Sequence, residues 1–209
     1  MYTLYGSQGC GSAVIEVALE RCKLPYKVIQ TYSAKSKSAL AKLERVNPLK
    51  QVPTLVWPDG TVMSESAAIL IQLGLANPEA QLLPIEEAQR ARSLRGLVFI
   101  AANCYAAVSV YDSPARWCAD CDDASKERVQ KAARERLHLH FEMFADLFDT
   151  SPYLEGETPG ALDFLAAVVS KWLGTRAHLN KARPKFFKTL QRIDTHPDVA
   201  PIFARHWDA

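Results

Sequence analysis

The run Gln51-Val52-Pro53-Thr54-Leu55, then Pro58-Asp59-Gly60, then Ser64-Glu65-Ser66 constrains this chain more than any other stretch. It reads as loop, strand, turn, strand and helix start. Pro53 stands just before the apolar, β-branched run Thr54-Leu55-Val56-Trp57. A proline there, unable to donate a hydrogen bond, belongs at the first residue of a strand or in a tight turn. An X-Pro bond adopts cis at a modest cost of about 0.5–1 kcal/mol. A cis Val52-Pro53 bond turns the Val52 backbone outward, where an extended peptide can pair with it as an added strand. Pro58-Asp59-Gly60 is a turn signal, and Thr61-Val62-Met63 is the returning strand. Ser64-Glu65-Ser66 opens an apolar helix from Ala67 to Leu75, whose free N–H groups and positive dipole end form a carboxylate site. A strand edge beside an anion site suits a small acidic peptide.

The residues before this run alternate between strand and helix. Tyr2–Tyr5 is strand-like, and Gly9-Cys10-Gly11-Ser12 turns into a helix from about Ala13 to Cys22, with Val14, Val17, Ala18 and Leu19 apolar. Leu24-Pro25 ends that helix, and Tyr26–Thr31 is the second strand. Ser36–Val46 is a polar, Lys-rich helix that stops before Asn47-Pro48. The order β-α-β-α-β-β-α implies a parallel pair with helical crossovers and an antiparallel edge hairpin, the thioredoxin-like arrangement. The boundaries expected are residues 1–77 for this α/β domain, 78–85 for a linker, and 86–209 for an all-α helical bundle.

The bundle is read from long uninterrupted helical patterns. One helix runs from Glu86 to about Val110 and another from Ala124 to Phe148. Thr158-Pro159-Gly160-Ala161-Leu162-Asp163 precedes a strongly apolar helix, Phe164–Leu173. Asp163 can reach back to the Gly160 N–H, while glycine offers no side chain for the reciprocal bond.

Val52-Pro53 before the third strand, with Glu65-Ser66 at the third helix, resembles the glutathione transferase family, and the resemblance covers essentially the whole chain. It implies that Val52 pairs with the cysteinyl backbone of glutathione and that Glu65 and Ser66 hold its γ-glutamyl end. Gly160 and Asp163 resemble the family's buried capping motif, with glycine in place of the usual Ser or Thr. A transferase of this type must ionise the glutathione thiol, because the thiolate is the nucleophile and a free thiol has a pKa near ~8.5. A hydrogen-bond donor just after the first strand, with the amino-terminal end of a helix, favours the anion. Ser7, Cys10 and Ser12 all lie there.

Cys10 resembles the functional cysteine of the bacterial beta class, whereas Ser12 resembles the serine-type transferases. Lys35 falls where the beta class carries a lysine near the glutathione carboxylate. Lys50, just before Gln51, is a second partner for that group. The beta class has a histidine on the fourth-helix face, where this chain has Tyr105, which can donate a hydrogen bond but is a poor base near pH 7. Asn103, Tyr105, Ala106 and Ser109, with Phe99, Tyr111 and Trp117, line the expected place of a hydrophobic electrophile, or serve as core or dimer contacts.

These expectations amount to a glutathione transferase working on hydrophobic electrophiles. The alternatives are a glutathione-dependent thiol reductase or peroxidase using Cys10, and a non-catalytic glutathione-binding protein. The resemblance also implies a homodimer. A net charge of +2 gives no case for nucleic acid or a membrane surface. No apolar run is expected to reach the ~18 residues that span a bilayer. With a strand pattern starting at Tyr2, no signal peptide is expected. Five scattered cysteines fit a reducing compartment, so a cytoplasmic location is expected. Cys118-Ala119-Asp120-Cys121 is a lone pair in a loop, a weak zinc signal read as incidental thiols, and no metal is expected.

Overall fold

The computed structural model describes residues 1–32, 37–148 and 152–207. Its first part is a four-stranded sheet of order β2-β1-β3-β4, built from β1 (Tyr2–Gly6), β2 (Tyr26–Gln30), β3 (Thr54–Val56) and β4 (Val62–Ser64). β1 pairs parallel with β2, from Tyr2 opposite Tyr26 to Gly6 opposite Gln30. β3 pairs antiparallel with both β1 and β4. The crossover helices are α1 (Ser12–Arg21) and α2 (Lys37–Val46), and α3 (Ser66–Ala76) follows the hairpin. The thioredoxin-like order expected from the sequence is therefore the observed one.

α1 is the central beam. Ala13, Val14, Ile15, Val17, Ala18 and Leu19 are fully buried, more than a one-faced helix could hide. The sheet and α3 take part of that surface, and the helices Ala161–Val169 and Ala200–Trp207 of the second part take the rest.

That second part is helical: α4 (Glu87–Phe99), α5 (Ala106–Asp112), α6 (Asp123–Phe148), α7 (Ala161–Val169), α8 (Thr175–Ala182), α9 (Pro184–Asp194) and α10 (Ala200–Trp207). The single helix expected over 86–110 is divided by a π-helical stretch, Ile100–Tyr105. Such bulges widen the turn and re-aim side chains. Here Tyr105 closes the bulge. α8 and α9 had no counterpart in the sequence reading, because their alternating charges mask a buried stripe of Leu179, Phe186, Leu190 and Ile193.

The expectation about apolar length needs correcting. From Gly96 to Tyr111 no side chain is charged, and the helical stretch Glu87–Asp112 has the length and mean hydropathy to cross a membrane. Leu97, Ile100, Cys104, Ala107 and Val108 on this stretch instead belong to the packed core.

α7 is buried at every position and packs on α1, α3, α4 and α9. Its start shows how the missing cap hydroxyl is replaced. Asp163 accepts from the Gly160 N–H at 3.1 Å and from the Leu154 N–H at 2.8 Å. The Glu155 carboxylate accepts the Leu162 N–H at 3.2 Å, which an N-cap Ser or Thr would otherwise take. Ser93 bonds the other Glu155 oxygen. A Cβ on Gly160 would lie 2.0 Å from Glu155 Oε2, so glycine here makes room for the substitute cap.

Candidate active site

The loop between β1 and α1 folds around one sulfur. The Ser7 N–H lies 3.2 Å from Cys10 Sγ, the Ser12 N–H 3.4 Å and the Ser12 hydroxyl 3.2 Å. Gly9 adopts a φ of +69°, which turns the chain back toward the helix. The three thiol-activating candidates are thereby separated. Ser12 is fully buried, packed beneath Gly6, where a Cβ would meet its oxygen at 2.4 Å. Ser7 is 7% exposed, and its hydroxyl accepts the Tyr32 N–H at 2.9 Å. Cys10 alone of the three is partly exposed.

Tyr105 overhangs this loop. A Cβ on Gly11 would lie 2.3 Å from its hydroxyl oxygen. Trp172 meets the Tyr105 ring edge-on at 5.3 Å. Burial, then the Cys10 thiol and the Asp112 and Glu65 carboxyls, push the Tyr105 phenol above its ordinary value of 10.0. It stays protonated at neutral pH, a hydrogen-bond donor rather than a base.

Val52-Pro53 is cis, the isomer that the sequence left open. Asn47 braces the loop before it: its amide donates to the Gln51 carbonyl at 3.2 Å and to the Thr54 hydroxyl at 2.9 Å. Tyr32 donates its hydroxyl to the Lys50 carbonyl. Among the described residues, no hydrogen bond engages the Val52 backbone. Glu65 is exposed with a φ of +66°, and Ser66 behind it begins α3. Lys50 and Gln51 are exposed, but the Lys50 ammonium is paired with Glu44 at 2.7 Å. Lys35 lies outside the described residues.

Part of the expected electrophile lining is elsewhere. Phe99 packs on His140, Phe144 and Phe148 inside the bundle, with ring centroids 6.5, 5.9 and 6.1 Å away. Asn103 returns its amide to the Phe99 carbonyl of its own helix. Trp117 stands 64% exposed beside Cys118 and Cys121, which are paired with each other rather than free thiols. Among the described residues, no group of three His, Cys, Asp or Glu side chains converges for a metal.

Two residues escaped the sequence reading. The Trp172 indole N–H donates to the Gly9 carbonyl at 3.0 Å, and the Gly9 N–H donates to His206 Nδ1 at 3.1 Å. The signal for His206 was its position, four residues after Ile202 and three after Phe203, on the apolar face of a terminal helix.

Sheet, helical bundle, cysteine loop, cis-proline turn and open α3 start together define a protein of glutathione transferase architecture. The N-terminal domain model of glutathione S-transferase matches residues 12–74. An uncharacterised GST-like protein of Escherichia coli (strain K12), YncG, is 30% identical over 173 residues, 82% of each chain. A glutathione transferase homologue from Sulfitobacter, solved with bound glutathione, superposes with a TM-score of 0.86 at 24% identity, covering 97% of this chain and 96% of its own. BphK, a bacterial GST solved as a ternary complex, gives 0.77 at 25% identity, covering 96% and 97%. The chain belongs to the glutathione S-transferase family.

Proposed function

We propose that this chain conjugates the thiolate of glutathione to hydrophobic electrophiles. The observation that carries the reading is Cys10 Sγ, partly exposed at the start of α1 and faced by the Ser7 and Ser12 amides at 3.2 and 3.4 Å. Backbone N–H groups and a helix dipole favour a sulfur anion. A glutathione sulfur seated against Cys10 shares that field, and the Tyr105 hydroxyl overhead supplies a donor. Ser12 orients Cys10 from below.

The rest of the tripeptide has places along the same edge. The Val52 backbone, without a hydrogen bond among the described residues and next to buried Pro53, takes the cysteinyl unit as an added strand. Glu65 holds the γ-glutamyl ammonium, and the Ser66 hydroxyl and the α3 N–H groups hold its carboxylate. Lys50, with Gln51, serves the glycyl carboxylate once it turns from Glu44, and Lys35 is a second cation for it.

A second reading uses the same sulfur as a nucleophile. The Cys10 thiolate attacks a glutathionyl disulfide and expels the partner thiol. A second glutathione thiolate then releases Cys10 and leaves as glutathione disulfide. The two amides on Cys10 Sγ favour this reading as well. Cys10→Ser separates the two, because thiol exchange ends while conjugation persists. If no electrophile or disulfide turns over while glutathione still binds, the protein is a glutathione-binding module.

We place the protein in the cytoplasm as a homodimer. A groove of about 440 Å³ between α5 and α6, lined by Ala107, Val110, Val129 and Leu139, supports a second copy as partner. Leu139, Met143 and Leu147 continue it as an exposed apolar stripe. Calorimetry with glutathione on the wild type and on Glu65→Ala with Ser66→Ala tests the site. Binding in the micromolar to millimolar range, abolished by the double change, is expected. No binding by the wild type would sink both enzymatic readings.

A further inference from the structure

Gly9, one residue before Cys10, is gripped on both backbone groups by the helical part of the molecule. Trp172 holds its carbonyl and His206 its N–H. The His206 grip continues inward. His206 Nε2 lies 2.8 Å from Glu16 Oε1, and the two residues are 6% and 5% exposed. Glu16 sits on α1, one turn beyond the Cys10 loop, and also accepts from Arg205 at 3.3 Å.

The chemistry of these contacts fixes the state of the imidazole. A backbone N–H only donates, so Nδ1 facing Gly9 is the unprotonated acceptor. The ring proton is therefore on Nε2 and is donated to the Glu16 carboxylate. Glu16 selects the one neutral tautomer that can hold Gly9, as a carboxylate orients the imidazole of a catalytic triad. The Trp207 indole packs beside the same loop, 3.9 Å from where a Gly9 Cβ would stand.

We propose that His206, set by Glu16, is a positioning residue for the thiol centre. It fixes Gly9, and through Gly9 it holds the Ser7 and Ser12 amides in line with Cys10 Sγ. The docking of α10 is then read directly by the sulfur's hydrogen bonds. This inference rests on the reading of the Cys10 loop as the thiol site, but its test does not need turnover.

The test is the pH profile of Cys10 alkylation by iodoacetamide, read by mass spectrometry of the Cys10 peptide in the full chain. The variants are H206L, H206N, H206Q and E16Q, with conjugation kinetics measured in parallel. Asn places its oxygen where Nδ1 stands and can accept from Gly9, while Gln reaches only toward Glu16. H206L and H206Q are expected to slow alkylation near neutral pH about fivefold, the worth of one lost hydrogen bond. H206N should retain the wild-type profile, and E16Q should fall between. Equal loss in H206N and H206Q, or an unmoved profile in all four variants, would overturn the proposal. If H206L does not fold, the H206N and H206Q pair decides. Should Cys10→Ala leave conjugation and thiol exchange intact while H206Q still shifts alkylation, the positioning stands and the assignment of Cys10 falls.

Discussion

Helices α1 and α7 both begin at a buried glycine with no side-chain cap, and they treat their free amides in opposite ways. At α7 two carboxyls from the same chain fill the helix end: Asp163 takes the Gly160 and Leu154 N–H groups, and Glu155 takes the Leu162 N–H. At α1 the group near the amides is the Cys10 sulfur, which is partly exposed. Gly160 leaves room for Glu155, and Gly11 leaves room for Tyr105. The same local device, a glycine start crowded by a neighbour, seals one helix and leaves the other accessible. A sealed helix end contributes stability, and an accessible one contributes reactivity.

The contrast is most directly broken at Asp163. Asp163→Ala strands two buried N–H groups, each costing about 1–3 kcal/mol, so chemical denaturation should show a loss of about 3 kcal/mol or more. A loss below about 1 kcal/mol would mean that the α7 start is not sealed by this carboxyl. Next in size, Gly160→Ser forces a Cβ onto Glu155 and should cost about 2 kcal/mol. Combining it with Glu155→Ala should recover only part of that loss, since the serine hydroxyl then caps the helix itself but its Cβ still presses on the Leu82 carbonyl, 2.9 Å away.

The sealed end should also carry a pH signature. Burial, then the charge of Asp163, pushes the Glu155 carboxyl from 4.5 up to about 8. Burial pushes Asp163 the same way, opposed by the backbone N–H groups it accepts from. The native state therefore holds a proton that the unfolded chain releases near 4.5. That stabilisation is fully present below about 4.5 and is lost as pH rises through about 8. Urea denaturation should show stability falling by on the order of 1 kcal/mol per pH unit between pH 6 and 8. Glu155→Gln, neutral at every pH, should reduce that slope to the part that Asp163, pushed up to about 7, contributes.

The smallest effect on stability belongs to the open end. Cys10→Ala should change the unfolding free energy by less than about 1 kcal/mol, because the residue is partly exposed and water can enter the place its sulfur leaves. The same variant should lose thiol exchange completely. A large thermal destabilisation by Cys10→Ala would show that the sulfur serves the fold, and the contrast between the two helix starts would collapse.

Legibility followed the range of the interactions. The hairpin, Val52-Pro53, Glu65-Ser66 and the Asp163 back-bond were readable, because turn chemistry and capping act within a few residues. The helix over 86–110 was read without its bulge, since a π-turn is set by what packs against it. The sequence leaves Phe99 open between substrate lining and core, because the stacking partners that place it in the core are more than forty positions away on α6. Lys50 reads from the sequence as a partner for a glutathione carboxylate, and Glu44 lies beside it only because α2 folds back toward the loop.

The sequence by itself determined the order of elements in the α/β part, the proline at the strand start, the acidic helix opening and the family. Each depends on residue types at short spacing. Only the tertiary structure decided which of Ser7, Cys10 and Ser12 reaches solvent, that Glu155 replaces a missing cap, and that His206 closes on Gly9. Those contacts join residues as far as 197 positions apart. They exist because α1 is buried between the sheet and the helical bundle, and the packing there puts Glu16, Gly9 and α10 within hydrogen-bond reach.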